Sequence, residues 1–212
     1  MILVGQYDSP YVRRVAISLH LLDIPFERNT MSVFGDAEAM RRINPLGRIP
    51  ALVLDDGEVL IDSGAILDHV DETVGPERAL LPPRGPDRRS ALRLIALATG
   101  VIDKAGAIIY ERTLRPAEKI YRPWLERCRG QVDTGLAALE AATPDGWYIA
   151  DRALQPDITV ACMVGHLRLR LPEAFVAGSY PRVDRLATSF AAFAAFEATQ
   201  PAANETMPAQ FP

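Results

Sequence analysis

Residues that mark several functional classes are scarce in this chain. Only two cysteines, Cys128 and Cys162, occur in 212 residues, both in segments that read as helical. Neither they nor the three histidines, His20, His69 and His166, fall at metal-ligand spacing. A disulfide scaffold and a metal centre are therefore not expected. The two thiols should be free and buried, and the histidines are expected in packing or surface roles. No apolar stretch approaches the ~18–20 residues that span a bilayer. The start, Met1-Ile2-Leu3-Val4-Gly5-Gln6, lacks the basic region and small-residue cleavage site of a signal peptide. Basic charge is not in excess: the formal net charge is −4 and the pI about 5.4. Nucleic acid and anionic membranes call for a basic face, so neither is an expected partner. A cytoplasmic protein is the expectation.

What is present is ordinary for a globular chain: 49% hydrophobic and 24% charged residues. The length allows one large domain or two small ones. Internal repeats are not apparent.

The first 75 residues alternate between strand and helix signals. Residues 2–6 form an apolar, β-prone run. Ser9-Pro10 then gives a capping hydroxyl followed by the residue preferred at the first helical position. Val12, Val15, Ala16, Leu19 and Leu22 recur at helical spacing, which predicts a helix over 10–23. Phe26 to Val33 reads as a second strand, completing a βαβ unit. Asp36 to Ile43 reads as a short helix, ended by Asn44-Pro45-Leu46-Gly47. A strand over 48–54, the turn Asp55-Asp56-Gly57 and a strand over 58–61 read as a hairpin. Asp62-Ser63-Gly64 opens a helix to about Val74. The order βαβ, then αββα, is that of a thioredoxin-like α/β domain with a mixed four-stranded sheet.

Residues 76–86, with Pro82-Pro83 and Gly85-Pro86, read as a linker. Residues 87–212 read as an all-α domain. Its helical candidates are 87–114, 118–142, 156–170 and 181–195, and the Pro- and Ala-rich tail from Pro201 is expected to lie loosely on the surface.

A thioredoxin-like domain joined to an all-helical one resembles the cytosolic glutathione transferases over nearly the whole chain. Four motifs carry the resemblance in order: Ser9-Pro10-Tyr11-Val12-Arg13-Arg14-Val15, Asn44-Pro45-Leu46-Gly47-Arg48-Ile49-Pro50-Ala51-Leu52, Asp62-Ser63-Gly64-Ala65-Ile66, and Asp151-Arg152-Ala153-Leu154-Gln155-Pro156-Asp157-Ile158. The first is similar to bacterial members that use a serine.

The resemblance implies glutathione as co-substrate, no metal, a small electrophilic and partly apolar acceptor, and a homodimer. It implies Ser9 as the catalytic residue, acting on the glutathione sulfur. Lowering a thiol pKa by one unit takes about 1.4 kcal/mol. A helix N-terminus supplies ~0.3–1 kcal/mol when exposed and up to ~2 when partly buried. A hydrogen bond to a charged group supplies roughly 1.5–3 kcal/mol. The plain alternative is that Ser9 only caps its helix. The roles are compatible, since capping uses the oxygen as acceptor and catalysis uses its proton.

Tyr7 is the rival to Ser9, because other transferases use a tyrosine at the end of the first strand; it fits better as core or site wall. Arg13 is implied as a supporting residue, although Arg13 and Arg14 also read as solvated helix positions. The resemblance implies a cis Ile49-Pro50 bond that presents the Ile49 backbone to the cysteinyl backbone of glutathione. Arg48 would hold the glycyl carboxylate. Ser63, at a helix N-terminus, would hold the γ-glutamyl carboxylate, with Asp62 near the ammonium. Asp62 and Ser63 also read simply as helix caps. Asp157 reads as half of a capping box, since Leu154 stands where the family has Ser or Thr. Tyr7, Tyr11, Tyr110, Tyr121 and Trp124 are the candidate acceptor-pocket residues.

Two other functions remain open. One is a non-catalytic glutathione-binding or protein-interaction module on the same fold. The other is a glutathione-dependent isomerase, although the Ser-Ser-Cys start of those relatives is missing here.

Overall fold

A computed structural model describes residues 1–205. The chain forms two compact units, one of residues 1–83 with the segment from Ala191, the other of residues 84–190.

The first unit is built on four short strands. These are β1 (Ile2–Val4), β2 (Glu27–Asn29), β3 (Ala51–Val53) and β4 (Val59–Ile61). Their order is β2-β1-β3-β4. β1 runs parallel to β2 and antiparallel to β3, with Leu3 opposite Arg28 and Leu52. β3 and β4 form the expected hairpin. The sheet is thus mixed, as the sequence order implies, and the unit is thioredoxin-like. Helix α1 (Pro10–Leu21) is buried at nine positions, Pro10 and Val12–Leu19. A helix apolar over so much of its surface must lie between other elements; it packs against β1, against α3 (Ser63–Val74) and against the C-terminal segment. Helix α2 (Ala37–Ile43) buries Met40 against Val4 and Ala51. Full burial of side chains such as Leu3, Ile17 and Leu52 contributes roughly 1.5–3 kcal/mol each.

After α3 the chain turns at Gly75 (φ 79°), and the Asp71 carboxylate accepts the Leu80 and Leu81 N–H groups at 2.8 and 3.0 Å. Part of the expected linker is therefore tied down.

The second unit is all helical. Helix α4 (Gly85–Leu114) packs along α5 (Arg122–Ala142) and α6 (Gln155–Arg170), and α7 (Pro181–Ser189) packs on α6. Ala98, Val101, Ile102, Ala105 and Ile108 line one face of α4 at helical spacing. Gly135 of α5 faces Val101 so closely that a Cβ there would lie 2.5 Å from Val101 Cγ2. The α6 stretch Ile158–Val164 is buried on all sides, so α6 is the centre of the unit. Its N-terminus is fixed by Asp157, whose carboxylate accepts the N–H groups of Leu154 (2.9 Å) and Tyr148 (3.0 Å). The leucine side chain returns no bond, having no acceptor, so the box is half made. Burial pushes the Asp157 carboxyl up, against the opposing pull of these bonds.

Three expectations need adjustment. The second strand covers three residues rather than 26–33. The helix expected over 181–195 breaks at a 3₁₀ turn, Phe190–Ala192, before α8 (Ala194–Ala198). The C-terminal segment joins the first unit rather than the helical one, and its last described residue, Glu205, is buried. The tail beyond it lies outside the described residues.

Candidate functional site

The site is assembled by three turns of the first unit. The β1–α1 turn begins at Gly5, with φ 135°. A Cβ there would lie 2.6 Å from Val12 Cγ2 and 2.9 Å from Ile49 Cβ. Glycine is thus what lets α1 and the loop before β3 close on the strand. Ser9 follows as the N-cap of α1, its Oγ accepting the Val12 N–H at 3.4 Å, with Pro10 at the first helical position. Its side chain is half-buried.

The second turn precedes β3. Asn44 is buried and organises it: Nδ2 donates to the Arg48 carbonyl at 2.7 Å, and Oδ1 accepts the Leu46 N–H at 3.0 Å. The turn closes with Gly47 at φ 61°, and Ile49-Pro50 is cis, as the resemblance implied.

The third turn leads into α3. Asp62 stands at φ 69°, in the half of backbone space that non-glycine residues rarely enter, and its carboxylate caps α3 by accepting the Gly64 N–H at 2.7 Å. Ser63 follows at the first helical position, buried. Its Oγ accepts two bonds from the Arg14 guanidinium, from Nε at 3.1 Å and Nη2 at 2.8 Å. A hydroxyl oxygen has two acceptor lone pairs and one proton. With both lone pairs engaged, the Ser63 O–H is left to act as a donor.

These turns enclose an open cleft. Tyr11 of α1 lines it, with Asn44, Arg48, Ile49 and Pro50 of the second turn and Asp62 and Ser63 of the third. Six sequence-derived candidates therefore come together: Tyr11, Arg48, Ile49, Pro50, Asp62 and Ser63. Ser9 caps the helix that carries Tyr11 and does not itself line the cleft. At one end the cleft presents the N-terminus of α3, the Ser63 hydroxyl and, behind it, the buried Arg14 cation. An anion is favoured there. Arg48 adds an exposed guanidinium at the second turn.

Tyr7 is elsewhere. It is 4% exposed and lies under Arg28, whose guanidinium is 3.4 Å from its ring centroid. Burial raises its phenol pKa, with Arg28 opposing and Glu205 adding to the shift. At 4% exposure the Tyr7 side chain is part of the core rather than the site wall. Tyr110, Tyr121 and Trp124 are exposed residues of the helical unit. Lys104 sits 5.7 Å from the Trp124 ring centroid. Arg13 faces the C-terminal segment: it stacks on Phe196 at 4.0 Å and donates to the Phe196 carbonyl at 3.1 Å. Arg14 and Asn44 are the residues the sequence reading missed. An Asn four residues before Arg48, at the start of a Pro-Leu-Gly turn, was a legible signal for the second. Nothing local distinguished Arg14 from Arg13. Among the described residues, no cluster of three or more His, Cys, Asp or Glu side chains is placed to hold a metal.

The sequence matches two family descriptions: "Glutathione S-transferase, N-terminal domain" over residues 3–78 and "Glutathione S-transferase, C-terminal domain" over residues 122–188. The chain belongs to the glutathione S-transferase family. Among curated relatives of this family it is 33% identical to the uncharacterised GST-like protein YibF of Escherichia coli, covering 80% of this chain and 83% of YibF. It is 31% identical to a maleylacetoacetate isomerase of Pseudomonas aeruginosa, covering 99% of this chain and 100% of the isomerase. Among solved structures, a glutathione S-transferase of Methylobacterium radiotolerans in complex with glutathione sulfonate superposes with TM-score 0.90 at 31% identity, over 98% of this chain and 97% of that one. A glutathione transferase family member of Pseudomonas fluorescens Pf-5 with bound glutathione gives 0.85 at 34% identity, over 95% and 98%.

Proposed function

We propose that this protein binds glutathione in the cleft and conjugates it to small electrophilic, partly apolar compounds. The observation that carries the reading is the Ser63 hydroxyl, set at the α3 N-terminus with both lone pairs taken by buried Arg14. A donor locked in that direction suits the γ-glutamyl carboxylate. The Ile49 backbone beside cis-Pro50 suits the cysteinyl backbone, and the exposed Arg48 suits the glycyl carboxylate. Asp62 keeps one carboxylate oxygen beyond its cap bond for the ammonium group. Similar transferases that hold glutathione sulfonate or glutathione support a glutathione-type ligand.

Ser9 is the proposed catalytic residue. Its cap bond to Val12 uses a lone pair and leaves the proton to donate to the glutathione sulfur. With the α1 N-terminus behind it, that proton favours the thiolate over the thiol, and the thiolate attacks the electrophile. Tyr11, Tyr110, Tyr121 and Trp124 are the proposed acceptor-side residues. A homodimer and a cytoplasmic location belong to the same reading.

The deciding experiment is glutathione consumption with a broad panel of electrophiles, in wild type and Ser9→Ala. The expected result is conjugation in wild type and a loss on the order of tenfold or more in the variant, as for one lost charge-assisted hydrogen bond. Binding without turnover on the whole panel would leave a glutathione-binding module. Full-length similarity to a maleylacetoacetate isomerase favours a second reading, cis–trans isomerisation of an unsaturated dicarbonyl acid. An isomerase returns glutathione unchanged, so substrate turnover without glutathione consumption would select it.

A further inference from the structure

The C-terminal segment of the first unit closes on the turn that carries Ser9. Phe196 meets Arg13 of α1 through its ring and its carbonyl. Further along, Glu205 is 4% exposed. Its carboxylate accepts the Tyr7 backbone N–H at 2.6 Å and pairs with Arg28 of β2. Arg28 in turn covers the Tyr7 ring. Three parts of the unit therefore converge on one carboxylate: the β1–α1 turn, strand β2 and the C-terminal segment.

β1 ends at Val4, and the next N–H, that of Gly5, goes to the Asn29 carbonyl at 2.8 Å. Beyond it the chain leaves the sheet ladder. The Ser9 N–H bonds back to the Gln6 carbonyl at 3.2 Å, within the turn itself. The Tyr7 N–H bond to Glu205 ties the middle of this turn to the C-terminal segment. A buried carboxylate is tolerated where it is paired, and removing one partner strands the other. The contact is thus a geometric constraint two residues from Ser9.

We propose that Glu205 is a positioning residue for Ser9: by holding the Tyr7 N–H it fixes the β1–α1 turn and with it the direction of the Ser9 hydroxyl. The proposal rests on the Ser9 reading above. A displacement of about 1 Å at a reacting group costs on the order of a hundredfold in rate, so a distant tail residue has leverage on the chemistry.

The test follows the ultraviolet thiolate band of bound glutathione as a function of pH, in the full chain. Wild type and Ser9→Ala set the two limits. Glu205→Ala is expected to raise the bound thiol pKa toward the Ser9→Ala value and to lower turnover about tenfold or more, while glutathione affinity, set at the Ser63 end, changes less than about threefold. Glu205→Gln keeps an acceptor for the Tyr7 N–H and should stay near wild type. Glu205→Asp keeps the charge on a shorter arm and should shift with Glu205→Ala. General destabilisation would lower the melting temperature without this order. Should Glu205→Ala not fold, the Gln and Asp variants still decide between the two outcomes. A Glu205→Asp thiol pKa equal to wild type, with Ser9→Ala shifted, overturns the Glu205 role alone. A Ser9→Ala thiol pKa equal to wild type overturns the Ser9 reading, and the positioning role falls with it.

Discussion

Arg14 is a buried cation that stands behind the Ser63 side chain of the cleft. Its guanidinium gives two bonds to Ser63 Oγ, so its effect on a ligand is to fix a hydroxyl as donor and to add positive charge behind it. Arg14→Met keeps the length and apolar bulk and removes both. The free Ser63 hydroxyl can then rotate, and a charge-assisted contribution of roughly 1.5–3 kcal/mol is at stake. Glutathione affinity is expected to fall about tenfold or more by isothermal titration calorimetry. With an analogue amidated at the γ-glutamyl carboxylate, the same substitution should matter much less, because the ligand no longer carries the charge that Arg14 complements. Arg14→Lys retains charge but not the fork, and should fall between. Equal affinity in wild type and Arg14→Met, alongside lost binding in Ser63→Ala, would remove Arg14 from the site.

At the scale of elements, Gly5 is where strand, helix and loop meet. A methyl group there meets Val12 of α1 at 2.6 Å and Ile49 at 2.9 Å, on a backbone with φ 135°. Overpacking of this kind costs typically 1–3 kcal/mol. Gly5→Ala is expected to lower the melting temperature by several degrees. It should also shrink the stabilisation that added glutathione gives, since Ile49 is pushed from the cleft. Adding Val12→Ala should recover part of the loss; no change in melting temperature would show that the turn adapts freely.

The elements themselves were readable, because periodicity and breakers are local. Ser9-Pro10 marked α1 and Asp-Gly the hairpin, whereas Gly85-Pro86, which read as the end of the linker, open α4. The break at Phe190–Ala192 carried no Gly or Pro to announce it. Most of the cleft was readable too, since Arg48-Ile49-Pro50 and Asp62-Ser63 lie in compact motifs. Arg13 and Arg14 were not, because charge predicts exposure, and what buries them is far along the chain: Phe196 for one, Ser63 for the other. Glu205 escaped for the same reason, its partners Tyr7 and Arg28 being at the opposite end of the sequence.

At the scale of the whole molecule, the balance of charge types decides the response to alkali. The sequence has two lysines, Lys104 and Lys119, against many arginines. Arginine keeps its charge beyond pH 12, so the basic side of the charge balance barely titrates between neutrality and that point. The groups that titrate there include the buried Tyr7 phenol, the half-buried Tyr148 and Tyr180 phenols and the buried Cys128 thiol. Burial raises the Tyr7, Tyr180 and Cys128 pKa values, and pushes the Tyr148 phenol up to about 12. Tyr148 also shares a hydrogen bond of 2.6 Å with Thr143, beside the Asp157 cap of α6. For such a group the folded pKa lies above the unfolded one, near 10. Its contribution is complete below the unfolded value and is lost as pH rises through the folded value, because the unfolded chain releases the proton first. The protein should therefore lose stability progressively from about pH 10 to about pH 12. Tyr148→Phe cannot titrate. It should start lower near pH 8, by about 0.5–1.5 kcal/mol for the lost Thr143 bond. Its stability should then fall less steeply toward pH 11 than that of wild type. Urea unfolding of both proteins at the two pH values measures the difference. Parallel losses would mean that the phenol ionises as readily in the fold as in the open chain, and that the alkaline limb belongs to the other buried groups.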